Sequence, residues 1–315
     1  MMKISAILAY CLLLPSFGFC IAKDTTTKSN PEIVMFAPGL VPGTSNRVMA
    51  PAFAPDGKTV YFGQVEGSSP INIVVSYLKN SAWTKPVTAR FSKNYPDLEP
   101  AFDPHGKYLI FASSRPTTPV DSLINGNWNG KEWHRKGGNL WKVSYSGKGW
   151  SKPVRLPEVI NKNSSVFSPA VAGDGSLYFM RADSGGVFHI YRSQYKNGQY
   201  QTPVRASFCL DKYGDFDPAV APDESFLIFS SPRPPAQKST DLFIVFRTPT
   251  GWSDPIDLRQ AISDKVFGVE ARLSPDLKTL YFTNQMNKEG VKVTTDSYIW
   301  QVDISGLLKG HGALK

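Results

Sequence analysis

The chain has 315 residues, a formal net charge of +9 and a hydrophobic share of 41%, so its apolar side chains suffice for one large domain or two small ones. Its Lys and Arg residues are scattered, and no run of five or six follows the N-terminus. Dispersed basic residues are typical of a soluble surface, whereas nucleic-acid-binding proteins cluster them in patches. The composition therefore argues against a nucleic-acid-binding function.

The first residues have the pattern of a secretory signal peptide. A positive start precedes an apolar stretch over residues 4–14, and small residues up to Ala22 offer a cleavage site. The apolar run is shorter than the roughly 20 residues that a membrane span needs. We therefore expect a signal peptide over residues 1–22, a linker over residues 23–31, and a periplasmic or secreted protein. A lipoprotein with Cys20 as the lipidated residue is the alternative, although a bulky residue precedes this cysteine.

Cysteine usage adds little to this prediction. Cys11 and Cys20 lie in the predicted signal peptide, which leaves Cys209 alone in the mature chain. A single cysteine cannot form an intramolecular disulfide, and no histidine lies near it in sequence to act as a base. We expect Cys209 to be a buried, unreactive core residue.

Five segments of the chain share one sequence pattern. Each reads as a short strand, a turn of the Pro-Asp-Gly type and a second strand that is rich in β-branched and aromatic residues. Proline presets the first turn dihedral, Asp hydrogen-bonds its own backbone and Gly accepts a positive φ, so each segment predicts a β-hairpin. The hairpins begin at Pro51, Pro100, Pro169, Pro218 and Ala271, and their turns are marked by Asp56, His105, Asp174, Asp223 and Asp276.

A second motif follows four of the hairpins at a similar distance. It consists of an aromatic residue, two further residues, proline and a β-branched residue, and it begins at Trp83, Trp150, Tyr200 and Trp252. A third apolar strand lies between each hairpin and this motif. Since proline cannot donate a ladder hydrogen bond, the strand that carries it should be an exposed edge. Four strands per unit, with proline in the outermost, are typical of a β-propeller blade.

The last repeat lacks this outer strand. No Trp-Ser-x-Pro segment follows its third strand, which is predicted at 298–303. Residues 32–38 could supply the missing strand and close the ring, which would remove an open sheet edge. The sequence therefore predicts an all-β fold, a five-bladed β-propeller, with a six-bladed ring as the alternative. The predicted propeller spans residues 32–305, with blades at about 46–91, 92–158, 159–207, 208–259 and 260–304 plus 32–38, and a tail at 306–315.

One blade carries an insertion. Neighbouring turn positions lie 49 or 53 residues apart, except for the 69 residues from His105 to Asp174. The surplus lies at about 115–138, between the second and third strands of the second blade, and long loops in compact domains are often functional. The loop suits sugar stacking or a protein contact, although its tryptophans could instead fold over the blade. The residues concerned are Trp128, Trp133, His134 and Arg135.

These motifs resemble the PD40 family, the WD40-like propeller repeats of TolB and related exported proteins. The resemblance covers nearly all of the mature chain and rests on the five Pro-Asp-Gly-type hairpins. It implies a TolB-like blade but no particular activity, because the same blade occurs in scaffolds and in enzymes. TolB proteins carry an additional N-terminal domain, whereas only about ten residues separate the signal peptide from the first predicted strand here.

One position of the repeat brings polar side chains to the central channel. In a propeller the first strand of each blade lines the channel, and its start lies at one mouth. Three carboxylates would converge there, where they could bind a ligand or an ion. Alternatively, their mutual repulsion could give them different pKa values, so that one acts as an acid and another as a base. Five-bladed glycosidases place carboxylates in a comparable location, which is an analogy. The residues at this position are Ala50, Glu99, Ser168, Asp217 and Glu270.

Two arginines accompany this position. Arg115 and Arg233 occupy matched places after second strands that return to the same mouth. They could contribute to a ligand site together with the carboxylates. Alternatively, each arginine pairs with a neighbouring carboxylate and ties adjacent blades together.

No motif identifies a metal, a cofactor or a nucleophile. The four His residues show no metal-ligand spacing, and the chain has no Gly-x-Ser-x-Gly elbow, phosphate loop or dinucleotide fingerprint. We therefore expect no metal and no cofactor. The leading hypothesis is a monomeric, non-catalytic binding or scaffold protein for an envelope or extracellular protein, peptide or glycan. The alternative is a hydrolase or lyase that acts on a polysaccharide with carboxylates at the channel mouth.

Overall fold

The computed structural model describes residues 31–37, 46–118, 122–128, 130–235, 240–285 and 297–313. These residues form five antiparallel sheets of four or five strands, and each sheet is one blade of a five-bladed β-propeller. The prediction of an all-β, five-bladed ring is therefore confirmed. The signal peptide predicted at 1–22 lies outside the described residues, as does the predicted linker up to residue 30.

Each blade runs from an inner strand at the channel to an outer strand at the rim. The inner strands are Asn46–Phe53, Asp97–Phe102, Val166–Val171, Phe216–Val220 and Val269–Leu273. The second strands are Thr59–Glu66, Tyr108–Ser113, Leu177–Ala182, Phe226–Ser231 and Thr279–Asn284. The third strands are Asn72–Lys79, Asn139–Ser144, Phe188–Ser193, Asp241–Thr248 and Tyr298–Asp303. The outer strands are short: Ala82–Trp83 with Val87–Thr88, Val154–Arg155, Val204–Arg205, Gly251–Trp252 with Ile256–Asp257, and Ile33–Met35.

Small hairpins and short helices complete the described elements. One hairpin pairs Gly126–Trp128 with Lys131–Trp133, another pairs Tyr195–Lys196 with Gln199–Tyr200, and the helices are α1, Leu258–Ala261, and α2, Ser305–Gly310. Helix α2 occupies part of the predicted C-terminal tail, and its Leu308 is fully buried in the core of the last two blades. Neither helix in the described part of the chain is long and apolar enough to cross a membrane.

The hairpin turns are fixed by their aspartates. Asp56 Oδ1 accepts a hydrogen bond from Lys58 N over 2.8 Å, and Asp174 Oδ1 accepts one from Ser176 N over 2.8 Å. The same contact recurs at Asp223. Each contact satisfies a backbone donor inside the turn and so fixes the point at which the hairpin reverses.

The core lies between the blades, and every blade contributes one phenylalanine of the repeat to it. This residue lies in the second strand of every blade, and at most 1% of its surface is exposed: Phe62, Phe111, Phe179, Phe229 and Phe282. Burying a side chain of this size contributes roughly 1.5–3 kcal/mol. The repeat thus packs neighbouring blades face to face and holds the inner strands around the channel.

The ring closes by pairing the first described strand with the last. Ile33–Met35 runs antiparallel to Tyr298–Asp303, with Ile33 opposite Val302. The next residue, Phe36, is buried in the cluster that joins this blade to the first one. The predicted pairing of residues 32–38 with 298–303 is therefore confirmed, and it gives the fifth blade its fourth strand.

Candidate functional site

The five residues at the predicted channel position share one backbone conformation. Their φ angles are all positive: 50° at Ala50, 52° at Glu99, 46° at Ser168, 52° at Asp217 and 58° at Glu270. At each of them the register between inner and second strand shifts, which marks a β-bulge. A positive φ is unfavourable for residues other than glycine. Because Ala50 adopts it as well, the conformation belongs to the blade and not to a reacting side chain.

Hydrogen bonds link four of these residues from blade to blade. Glu99 Oε2 in the second blade accepts a hydrogen bond from Ser168 N in the third over 2.7 Å. The Ser168 hydroxyl donates to Asp217 Oδ1 in the fourth blade over 2.6 Å. Asp217 Oδ2 in turn accepts from Glu270 N in the fifth blade over 3.0 Å. We call these four residues the carboxylate ring.

Thr283 extends the carboxylate ring to the first blade. Its hydroxyl accepts a hydrogen bond from Ala50 N over 3.4 Å and interacts with the carboxyl group of Glu270. The sequence analysis missed Thr283, because it lies in a second strand and the residue that follows the repeat phenylalanine differs among the blades.

The carboxylate ring is a largely buried layer, in which Glu270 is the one half-buried member. Only 5% of Glu99 and 5% of Asp217 is exposed. Burial, followed by the nearby charge of Asp217, raises the pKa of Glu99 to about 7. Burial together with Asp217 and Glu99 raises the pKa of Glu270 to about 8. Glu99 and Glu270 are therefore partly protonated near neutral pH, which reduces the repulsion between the carboxyl groups of the carboxylate ring.

Arg115 and Arg233 do not join the carboxylate ring. Arg115 Nη2 lies 2.6 Å from Asp97 Oδ2, and Arg233 Nη2 lies 2.6 Å from Asp215 Oδ1. Both aspartates are fully buried and lie two positions before a ring residue. Each guanidinium also donates to a carbonyl of the segment that enters its blade, that of Phe91 in the case of Arg115. Each arginine therefore joins its blade to the segment that precedes the inner strand of that blade. Neither arginine contributes to the carboxylate ring.

A sequence signal for these ion pairs exists. The pattern Asp-x-Glu/Asp-Pro occurs at 97–100 and at 215–218, and both blades carry Ser-x-Arg after the second strand. The serine completes the arrangement, because Ser113 Oγ accepts a hydrogen bond from Arg115 Nε over 2.9 Å. The arginines were predicted as candidate site residues from the sequence, whereas the aspartates that pair with them were not.

The described end of the predicted insertion at 115–138 packs on the third blade through its two tryptophans. Trp128 and Trp133 stack with their ring centroids 4.9 Å apart and their planes 10° from parallel. Trp128 also meets Phe167 edge-on at 6.1 Å and packs against the apolar core there. The tryptophans therefore cover the blade, whereas His134 and Arg135 are exposed.

The remaining candidate residues form no further centre. Cys209 is buried, and burial raises the pKa of its thiol, so the thiol stays protonated at neutral pH. Among the residues that the structure describes, no three His, Cys, Asp or Glu side chains are arranged to hold a metal ion.

A surface groove of about 980 Å³ lies between the first and second blades. Aromatic rings form part of its wall: Tyr145 is 50% exposed and Tyr77 is 40% exposed. Trp150 is fixed there, because its Nε1 donates to the hydroxyl of Tyr61 over 2.9 Å. Asp56 is the one acidic residue in the described lining.

Four exposed basic residues also line this groove, and none of them forms an ion pair with a described residue: Arg90, Lys93, Lys148 and Lys152. We call the recess the basic groove. The sequence analysis missed it, because its residues come from turns and outer strands of two blades. The Trp-Ser-Lys-Pro motif at 150–153, all four residues of which line the groove, is the available signal.

Comparisons with known proteins support the fold and leave the activity open. No protein-family model matches the chain, and no curated protein matches it either. Among solved structures, an α-L-arabinofuranosidase from Podospora anserina in complex with cellotriose matches with a TM-score of 0.53 and 13% identity, over 87% of this chain and 96% of that one. An α-L-arabinofuranosidase from Lactobacillus brevis matches with a TM-score of 0.53 and 12% identity, over 82% of this chain and 91% of that one.

TolB from Acinetobacter baumannii matches with a TM-score of 0.47 and 14% identity over 82% of this chain. The chain spans only 54% of the length of that TolB structure. At these identities the likeness concerns the fold alone. The fold and the site together define a five-bladed β-propeller whose channel is crossed by a buried, hydrogen-bonded carboxylate ring.

Proposed function

We propose that this chain is an exported, non-catalytic binding protein that takes an acidic glycan in the basic groove. The observation that carries the proposal is the set of four unpaired cations around exposed aromatic rings. Flat aromatic faces provide apolar contact area for sugar rings, and Lys and Arg form charge-assisted hydrogen bonds with carboxylates. A polysaccharide built of uronic acids offers both features along its length.

The outer strands favour a glycan over an extended peptide. A peptide that adds to a sheet needs a continuous edge with free backbone groups. The edge strands beside the basic groove, Ala82–Trp83, Val87–Thr88 and Val154–Arg155, are only two residues long. Pro86 and Pro153 interrupt these edges and cannot donate a hydrogen bond. Side-chain contacts must therefore provide the affinity.

The state of the carboxylate ring favours binding over catalysis. A general acid or base must come within hydrogen-bonding distance of its substrate. Glu99 and Asp217 are buried, and their oxygens already accept hydrogen bonds from neighbouring blades. These contacts support a role in holding the blades together.

Titration with polygalacturonate, followed by isothermal titration calorimetry, tests the proposal. We expect binding that weakens with salt, and a loss of at least about tenfold in the double variant Lys148→Ala/Lys152→Ala. The matched control Lys196→Ala/Lys309→Ala removes the same charge from exposed positions outside the groove and should bind like the wild type. Absence of binding, equal losses in both double variants, or tighter competing binding of poly-glutamate would overturn the proposal.

A second candidate is a polysaccharide hydrolase or lyase that uses the channel carboxyls. The raised pKa values of Glu99 and Glu270, about 7 and about 8, favour it because a general acid must be protonated at its working pH. The test is release of reducing ends from a polysaccharide panel by the wild type, Glu99→Gln and Asp217→Asn. Turnover that is absent in the wild type, or unchanged in both variants, removes this candidate.

A further inference from the structure

The central channel contains a cavity of about 360 Å³ on the hairpin side of the carboxylate ring. Every lining residue follows the ring position in its own strand or turn, so the ring closes the channel behind the cavity. Most of the lining is proline, alanine and larger apolar residues, including Phe53 and Leu273. Arg272 is the one cation and Asp103 the one carboxylate in the described lining.

Arg272 departs from the repeat. The other four blades have alanine at the same position, two residues after the ring residue: Ala52, Ala101, Ala170 and Ala219. All four alanines line the cavity together with Arg272. A long cationic side chain therefore lines a cavity to which the other four blades contribute a small apolar side chain at this position. Alignment of the five repeats by sequence is enough to show that arginine replaces alanine at this position.

The guanidinium of Arg272 is buried and incompletely bonded. Only 6% of the residue is exposed. Its Nη1 donates to Ala271 O over 2.8 Å, whereas Nε and Nη2 have no hydrogen-bond partner among the described residues. A buried cation without a partner is costly, and such groups usually have a structural or functional reason.

The nearby carboxyl groups leave Arg272 only partly neutralised. Glu99 and Glu270 interact with it electrostatically but form no hydrogen bond to it. Burial raises the pKa of Glu270 to about 8, so this neighbour is mostly protonated at neutral pH. Asp103, elsewhere in the lining, accepts a hydrogen bond from Lys107 N at its own turn over 3.0 Å. The cavity thus combines apolar walls with an available positive charge.

We propose that this cavity binds a small organic anion, whose carboxylate pairs with Arg272 and whose apolar body lies against the proline and alanine walls. A guanidinium presents two parallel donors that match a carboxylate. The cavity volume is at the lower end of the range for small-molecule sites. A polysaccharide is too large to enter it, so this site is distinct from the basic groove, although Pro55 and Phe102 line both.

The test uses acetate, hexanoate and benzoate as probes, with benzamide as the neutral counterpart of benzoate. Binding is measured by ligand-observed NMR and by the shift in melting temperature. We expect hexanoate and benzoate to bind, acetate to bind more weakly because it lacks an apolar body, and benzamide to bind at least about tenfold more weakly than benzoate.

The decisive variant is Arg272→Met, which keeps an unbranched apolar stem in place of the aliphatic part of arginine and removes the guanidinium with its charge. It should lose benzoate binding by at least about tenfold and should melt no lower than the wild type, because an unpaired buried charge is removed. Arg272→Lys, which retains the charge, should bind benzoate more tightly than Arg272→Met. The matched control Arg47→Met removes an exposed charge outside both the cavity and the basic groove and should bind benzoate like the wild type. Equal binding of benzoate and benzamide, unaltered binding in Arg272→Met, or no binding of any carboxylate would overturn the proposal.

Discussion

The Ser168 hydroxyl donates a 2.6 Å hydrogen bond to Asp217, a residue that lies 49 positions further along the chain. The backbone N–H of the same serine donates to Glu99. One fully buried serine therefore holds two carboxyl groups from the blades on either side of its own. This arrangement makes the carboxylate ring an inter-blade contact whose strength can be measured.

Replacing Ser168 by Ala removes the hydroxyl and keeps the backbone donor to Glu99. Asp217 Oδ1 then lies buried without that partner, so the free energy of unfolding should fall by about 1–3 kcal/mol. Urea denaturation followed by circular dichroism measures this change. Ser69→Ala, at an exposed turn position, should change the free energy by less than about 0.5 kcal/mol. A Ser168→Ala protein as stable as the wild type would show that the ring does not join the blades.

Replacing Arg115 by Met leaves the Asp97 carboxylate buried without its ion-pair partner. Breaking a buried ion pair from one side costs about 3–5 kcal/mol, because an uncompensated charge remains. Arg233→Met should have a similar effect through Asp215. Denaturant unfolding provides the measurement.

Two variants provide the comparison for these arginines. Asp211→Asn removes an exposed carboxylate that pairs with Arg205 and should cost less than about 1 kcal/mol. The double variant Arg115→Met/Asp97→Asn should recover part of the lost stability, because it removes both charges. If the exposed and buried pairs cost the same, the buried pairs are not the structural anchors described above.

The fold and the channel position followed from the sequence, whereas the contacts around them did not. The strands and turns could be predicted because alternation of apolar residues and turn chemistry are local properties of the sequence. The phenylalanines that recur in the second strands, such as Phe62 and Phe282, are buried between the blades. The partners of Arg115 and the stacking of Trp128 depend on which segments meet in space. Thr283 has no distinguishing sequence pattern. Its hydrogen bond to Ala50 exists only because the fifth blade packs against the first when the propeller closes.

Stability should depend on pH through Glu270. Its pKa is about 8 in the folded protein, compared with about 4.3 in an unfolded chain. Between these values the folded state binds more protons than the unfolded state, so the free energy of unfolding falls as the pH rises from about 4.3 to about 8. Glu270→Gln stays neutral and should flatten this slope in urea titrations at pH 5, 6, 7 and 8. Glu66→Gln, at an exposed position, should leave the slope unchanged, and an unaltered slope in Glu270→Gln contradicts the prediction.

Replacing Phe36 by Ala should weaken the joint that closes the ring. Its ring lies 5.5 Å from that of Phe53 in the first blade and 5.3 Å from that of Tyr281 in the fifth. Truncating a buried phenylalanine costs about 3–5 kcal/mol, which should be seen as a lower melting temperature. Val34→Ala, at an exposed position in the strand that precedes Phe36, should cost less than about 1 kcal/mol. Equal losses in the two variants would argue against this packing.

The pairing of Ile33 with Val302 also sets the order in which the molecule can be completed. The two residues are 269 positions apart, so at a synthesis rate of about 5–20 residues per second the earlier one is made roughly 13 to 54 s before its partner. Throughout that time Ile33–Met35 has no strand to pair with, and the growing set of blades keeps an open sheet edge. Among the described strands, the first to be synthesised is thus the last to be paired, and the high sequence separation of this contact predicts slow final folding.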